Sequence, residues 1–382
     1  QNTTAYLALA KPTETRRFGT ATFDVGGVVA SDGAATHSTY QATWLRSTFL
    51  SAGDNATRRR QVVERAADRI GARITALEQR ERHALTRYNA GAISTRTYLR
   101  ELAAIDRAAG SLRGAVQLLR TYNDAVGDPV SPRRIAAMKA RLLPLEGPVR
   151  ARVAATMAGE EPPVRVYVET SSEGVVLAMV DRGQFSQRYV REAYVPSARN
   201  PGGTDQFVRG GERLEAARDR AAELYPWVFA NQAGTSIGTY TGEPFLYNAG
   251  VYSVRIGHPH GTSRTYDLVT FLDGSTRDVF REIQYKDLSS IPTVAAGSNV
   301  SQSLNITVER TRTGGPMLVR VTDATTGEPV QVDIRVEGES VGQTGIDGER
   351  WVIAPASTTR VTAVTGTRTV SLVVSSDGPP TR

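Results

Sequence analysis

The sequence predicts an α+β multidomain chain: a long antiparallel helical hairpin within a helical bundle, then an α+β domain on a mostly antiparallel sheet, then an immunoglobulin-like or transthyretin-like β-sandwich. Three observations predict it. Over residues 57–124 apolar side chains recur at three- and four-residue steps, the period of a helix face. After Glu160-Glu161-Pro162-Pro163 the period falls to two, with Val164, Val166 and Val168 alternating with Arg165, Tyr167 and Glu169. Beyond residue 298, short strand-like runs repeat at roughly ten-residue spacing between Gly, Pro and Asp turns.

Residues 1–33 read as strands, Ala5-Tyr6-Leu7-Ala8-Leu9 and Gly19-Thr20-Ala21-Thr22-Phe23-Asp24-Val25, divided by Pro12 and expected to pair with the middle sheet. Val25-Gly26-Gly27-Val28-Val29 is read as a strand completing that sheet. A helical bundle is expected over residues 34–158. Its first helix, residues 34–50, ends at Ser51-Ala52-Gly53. Next come two coiled-coil-like helices, one seamed by Val63, Ala66, Ile70, Ile74, Leu77, Ala84 and Tyr88, the other by Leu99, Leu102, Ile105, Ala109, Leu112, Val116 and Leu119. Between them, Asn89-Ala90-Gly91-Ala92-Ile93-Ser94 offers a glycine stop and a serine cap, short enough to force antiparallel neighbours. Ser131-Pro132 opens a further helix with proline in its first turn, and Gly147-Pro148 breaks it.

The α+β domain is expected over residues 159–290. Ser171-Ser172-Glu173-Gly174 turns the first strand into Val175-Val176-Leu177-Ala178-Met179-Val180, and a third strand falls within residues 185–195. Residues 196–210 are a Pro/Gly-rich loop. A helix over 211–229 carries Leu214, Ala217, Ala221, Leu224 and Val228, with Pro226 straining its last turn. Strands follow at 251–257, 264–272 and 277–285, the last two joined by Asp273-Gly274. Residues 291–297 read as a linker, 298–376 as the β-sandwich and 377–382 as a disordered tail. The expected sandwich strands are 304–310, 318–322, 330–337, 350–353, 361–364 and 369–374.

At 382 residues with 40% hydrophobic and 22% charged side chains, the chain is ordinary globular material, and no apolar run is long enough to span a membrane. The absence of cysteine excludes disulfides, thiolate metal sites and cysteine nucleophiles. Four Asn-X-Ser/Thr sequons, at Asn2, Asn55, Asn299 and Asn305, are candidate glycosylation sites and point to export to the cell surface or beyond; the bland alternative is that they are turn asparagines. The opening Gln1 fits a removed leader or a trimmed chain equally. Residues 54–158 hold 20 basic and 10 acidic side chains, whereas residues 159–382 hold 22 basic and 26 acidic. Opposite fields on separate copies could draw them head to tail into a homo-oligomer.

Candidate chemistry is sparse. Gly257-His258-Pro259-His260-Gly261 places two imidazoles in a loop between strands, and His258 and His260 are weak metal candidates lacking a third ligand. His37 and His83 fall in separate helices. No Gly-X-Ser-X-Gly elbow, Ser-X-X-Lys or phosphate loop occurs, so no catalytic residue, cofactor or enzyme activity is expected. The arginines of the helical section are interleaved with Glu64, Asp68, Glu78, Glu81 and Glu101 and lack aromatic platforms, the pattern of solvated, partly ion-paired faces rather than a nucleic-acid site.

Two resemblances follow from particular stretches. Asp323-Ala324-Thr325-Thr326-Gly327-Glu328-Pro329-Val330 with Thr344-Gly345-Ile346-Asp347-Gly348-Glu349 resembles the carboxypeptidase-regulatory and transthyretin-like modules, accessory binding or spacing domains of exported proteins. Tyr88-Asn89-Ala90-Gly91, Tyr98-Leu99-Arg100-Glu101-Leu102, Gly147-Pro148-Val149-Arg150-Ala151-Arg152, Val166-Tyr167-Val168-Glu169-Thr170, Ala222-Glu223-Leu224-Tyr225-Pro226-Trp227 and His258-Pro259-His260-Gly261 are similar to exported haloarchaeal surface proteins of unknown function, over about residues 1–290. That resemblance implies a leader peptide and a surface location, and no activity. The basic balance departs from the acidic habit of such organisms. The resulting expectation is an extracellular, cell-surface structural or assembly protein, a subunit of a filament, tube or array whose main partner is itself. The alternative is a monomeric receptor or adhesin for a glycan or peptide, using the 196–210 or 257–261 loops; a metal-dependent enzyme comes third.

Overall fold

The computed structural model describes residues 6–182, 187–208, 212–230, 234–237, 249–260, 263–301, 303–311, 314–355 and 357–375. It falls into two compact units: residues 1–177 with 191–284, and residues 178–190 with 285–382.

The first unit begins with β1 (Thr15–Ala21) and five helices, α1 (Val25–Ser51), α2 (Ala56–Asn89), α3 (Thr95–Ala125), α4 (Pro132–Leu142) and α5 (Pro148–Met157). Polar side chains set their starts. Asp24, Asn55, Ser94 and Ser131 each accept from the backbone N–H three residues on, satisfying donors that the first turn leaves free. α3 is the hub, in contact with α1, α2, α4, α5 and β1. It can be, because Ala103, Ala104, Ala108, Ala109 and Ala115 are buried alongside the larger Leu112, Val116 and Leu119, so neighbours close in on more than one face. Leu45 and Phe49 of α1, Ile70 and Ile74 of α2 and Met138 of α4 complete one core with α3. Phe49 stacks on Tyr122 at 4.1 Å, and Tyr88 on Tyr98 at 4.5 Å.

Two expectations for the N-terminal segment fail. Val25-Gly26-Gly27-Val28-Val29 is the start of α1 and not a strand: the Asp24 cap outweighs the β-branched run, and Gly27 lies close to Met157 of α5, where a Cβ would touch it at 3.5 Å. Residues 6–9 form no strand; the Leu7 N–H and carbonyl are held by Glu282 and Arg191 side chains.

The sheet adds β2 (Val164–Thr170), β3 (Val175–Arg182), β4 (Gln187–Tyr194), β5 (Gly234–Ile237), β6 (Val251–His260), β7 (Ser263–Asp273) and β8 (Val279–Asp287), in the order β1-β2-β3-β4-β8-β7-β6-β5. β1 runs antiparallel to β2 with Thr15 opposite Thr170. The expected helix over 211–229 is two, α6 (Arg213–Leu224) and α7 (Pro226–Ala230), because Pro226 has no N–H to continue the first. His258 and His260 lie in β6 rather than in a loop, with a register shift between His258 and Pro259 where proline cannot donate to the ladder.

The second unit is a sandwich of β14-β11-β10-β9 on β13-β12-β15-β16, from β9 (Val294–Ser301), β10 (Leu304–Arg310), β11 (Pro316–Asp323), β12 (Asp333–Val336), β13 (Glu339–Gln343), β14 (Glu349–Ile353), β15 (Thr359–Thr365) and β16 (Arg368–Val374). Leu304, Ile306 and Val308 alternate inward onto Val319, Val321, Ile334, Val361 and Val370. The expected linker over 291–297 already contains the start of β9. β13 escapes the sequence pattern because it is polar; Glu337 (φ 52) and Gly338 (φ 82) make the two-residue turn that folds it back on β12. Side chains strap both sides of the sandwich. Arg350 of β14 donates to Val341 O (2.7 Å) and Gln343 O (3.0 Å) of β13, and Asn299 of β9 donates to Ser371 O of β16 (2.7 Å). The tail expected to be disordered lies outside the described residues from 376 onward.

Candidate functional site

Sequence singled out few site residues, and among the described ones none is brought together with another. The side chains of His258, His260 and His37 lie outside what is described, and His83 is exposed on α2. Among the described residues no group of three or more His, Cys, Asp or Glu could hold a metal. Of the sequons, Asn2 lies outside the described residues. Asn55 is the exposed cap of α2, Asn299 is exposed on β9, and Asn305 is half-buried in β10.

A cleft of about 510 Å³ opens within the first unit, in the size range of small-ligand sites. Glu78, Glu81 and Leu85 of α2 and Tyr98 of α3 line one part. Arg133 and Arg141 of α4 line another, and Pro196, Arg199 and Pro201 of the loop after β4 close a third. Glu78 and Glu81, one helical turn apart, face it side by side. Each is neutralised: Arg141 grips Glu78 with Nε and Nη2 at 2.8 and 2.6 Å, and Arg150 Nη1 lies 2.6 Å from Glu81. Tyr98 is completely buried, and its hydroxyl has no hydrogen-bond partner; the buried Nε of Arg199 has none either, although Arg199 Nη1 donates to Ala140 O at 3.1 Å. Burial pushes the Tyr98 phenol up, with the Glu81 charge adding to it, and takes Tyr194 up to about 12. Both phenols therefore stay protonated at neutral pH and keep a proton to donate. Burial draws the Arg199 guanidinium down.

Behind the cleft, α5 begins on two carboxylates, the half-buried Asp106 and the buried Glu192. Gly147 N donates to Asp106 Oδ1 (2.9 Å), and Val149 N donates to Glu192 Oε2 (3.1 Å). These are free N–H groups of a helix start, where negative charge is favoured. Arg150 Nε bonds Glu192 Oε1 at 3.1 Å, and Arg281 reaches the carbonyls of Leu143 and Glu146. Gly147 admits this arrangement because a Cβ there would stand 1.9 Å from Glu192 Oε2. Burial raises Glu192 against the pull of Arg150 and Arg281, and raises Asp106 to about 7. A second cluster is closed: Glu282 accepts from Leu7 N, Arg191, Tyr225 and Gln284 at 2.6 to 2.9 Å, pinning the N-terminal segment onto the sheet.

Residues 1–162 match a domain of unknown function (DUF7096), and residues 166–292 match a family of unknown function (DUF7094). Residues 295–372 match the archaeal fibronectin-III type-like domain. The C-terminal sandwich is therefore similar to an archaeal fibronectin-III module. No curated protein and no solved structure matches the chain. Two domains of unknown function followed by a β-sandwich agree with the coarse resemblance read from the sequence. At the C-terminus the likeness found is to the fibronectin-III type, where the sequence suggested carboxypeptidase-regulatory or transthyretin-like modules. No helix among the described residues is long and apolar enough to cross a membrane.

Sequence reasoning passed over the cleft. Glu78 and Glu81 read as part of a solvated helix face, and Tyr98 and Arg150 enter only within stretches that carry the resemblance. The available signals were the Glu78/Glu81 spacing and the Gly147-Pro148 break placed directly before Arg150.

Proposed function

We propose that this is an exported cell-surface protein that recognises a ligand and makes or breaks no bonds. The observation carrying the reading is the cleft, whose buried donors Tyr98 Oη and Arg199 Nε lack acceptors within the protein. Buried polar groups are normally satisfied, so unmet donors on two residues that line a cleft favour a ligand that satisfies them. The neutralised glutamates and the protonated phenols offer binding rather than proton transfer. Sequons at exposed Asn55 and Asn299 and a fibronectin-III-like module support the surface location. The test is binding of the full chain to glycan and peptide arrays. Saturable binding lost in Tyr98→Phe supports the reading, and arrays with no saturable binder refute it. Surface labelling of intact native cells tests export, and the mass of the native chain tests glycosylation.

One observation favours the assembly reading as a second. Phe23, Val25 and Val29, at the start of α1, are 60%, 64% and 68% exposed, an apolar patch that a second copy could cover. On that reading α2 and α3 form a stiff antiparallel lever, and the basic helical section meets the acidic remainder of a neighbouring copy. Pairing through the sandwich edges is disfavoured by the Arg350 and Asn299 straps. Light scattering decides between the readings: a salt-sensitive oligomer lost in Val25→Glu/Val29→Glu supports assembly, and a monomer at all concentrations supports recognition.

A further inference from the structure

We propose that the cleft over Tyr98 captures the free C-terminal carboxylate of a short apolar peptide. This rests on the recognition reading above and adds the chemistry of the ligand.

The first support is the pair of unmet donors. A buried donor without an acceptor is costly, so the Tyr98 hydroxyl and the Arg199 Nε favour an oxygen-rich group, and an anionic oxygen satisfies them best. Replacing the Tyr98 hydroxyl costs the fold no hydrogen bond, so its placement is unexplained by stability. The second support is charge. Glu78 is committed to Arg141 and Glu81 to Arg150, whereas Arg82 and Arg133 at the cleft have no side-chain partner among the described residues. Exposed Glu173 is the remaining acid of the lining, so the unpaired charge there is positive. The third support is the wall. Leu85, Leu145 and Val175 are aliphatic and buried, and the ring of Tyr98 is stacked on Tyr88 with 4° between planes, so it offers no free platform for a sugar ring. Apolar side chains suit such walls, and the carbonyls of a peptide give Arg82 and Arg133 further acceptors. End-on capture of a carboxylate is an established mode of peptide recognition.

The test uses the full chain and acetylated tripeptides randomised over Ala, Val, Leu and Phe, prepared as free acids and as C-terminal amides, with methyl glucuronoside as a third probe. Binding is read by titration calorimetry and by ligand-observed NMR. Free acids are expected to bind at least about tenfold more tightly than amides. Tyr98→Phe should weaken the acids about tenfold with an unchanged melting temperature, and Arg82→Gln/Arg133→Gln, at exposed positions, should shrink the preference for acid over amide. Equal binding of acids and amides overturns the carboxylate assignment while leaving ligand recognition standing. Binding of the glucuronoside alone overturns the peptide. Binding of none of the three overturns this proposal, and the recognition reading then stands or falls on the array experiment.

Discussion

Asp106 gives the most quantitative test of the buried network. Its carboxyl is enclosed beneath the start of α5, accepts one hydrogen bond from Gly147 N at 2.9 Å, and has its affinity for a proton raised from 3.8 to about 7, first by burial and then by the nearby Glu192 and Glu146. A carboxyl raised in the folded state stabilises the protein below its unfolded value and loses that contribution as pH rises through the folded value. The window therefore runs from about pH 4 to about pH 7. At 1.36 kcal/mol per pH unit the displacement amounts to about 4 kcal/mol as a ceiling, and the edge of the side chain that touches solvent lowers the expectation to about 2–4 kcal/mol. Asp106→Asn keeps an oxygen for Gly147 N and removes the charge. Urea unfolding followed by the helical circular-dichroism signal reads the first unit, since every α-helix among the described residues lies there. The variant should match the wild type near pH 4, pull ahead of it as pH rises, and hold a constant lead above about pH 8. A lead that does not change with pH, or a wild type that gains on the variant toward high pH, would mean that Asp106 is comfortably ionised in the fold and that the reasoning about burial is wrong.

Three other substitutions probe separate contacts. Gly147→Ala puts a methyl 1.9 Å from Glu192 Oε2 and drives that carboxylate off Arg150 and Val149 N; about 3–5 kcal/mol of stability should be lost, measured by the same unfolding experiment. Arg350→Met releases the strap on Val341 O and Gln343 O, so about 1–3 kcal/mol should go and aggregation on mild heating should rise, read by light scattering. At the cap of α2, Asn55→Ala should cost about 1 kcal/mol while Asn55→Asp costs little, although both remove the sequon, so thermal melts separate the capping role from any glycan.

What the sequence makes legible here is what is local. The seams of α2 and α3 follow from apolar spacing, the starts of α3 and α4 from Ser94 and Ser131, and β10 from a strict alternation that leaves Leu304, Ile306 and Val308 inside. Reading fails where a distant partner decides. Val25-Gly26-Gly27-Val28-Val29 has strand-like residues but is helical because Asp24 caps it and Met157 lies against its glycine face. β13 has no apolar side to announce it and depends on the turn at Glu337 and Gly338.

The cleft is the extreme case, because its residues come from positions 78 to 249 and none belongs to a recognisable motif. Several stretches that carry the resemblance read from the sequence coincide with buried contacts: Tyr88 stacked on Tyr98, Gly147 under Glu192, Arg150 between Glu81 and Glu192, and Tyr225 on Glu282. Buried ion pairs add little net stability over well-packed apolar residues, so these contacts are better understood as fixing which partners meet. Arg150 satisfies carboxylates from α2 and β4 at once, which sets α5 in one register between helix and sheet. The same register pairs the Glu81 carboxylate with Arg150 beside Tyr98. The positively charged, donor-rich character of the cleft thus depends on a side chain that does not line it.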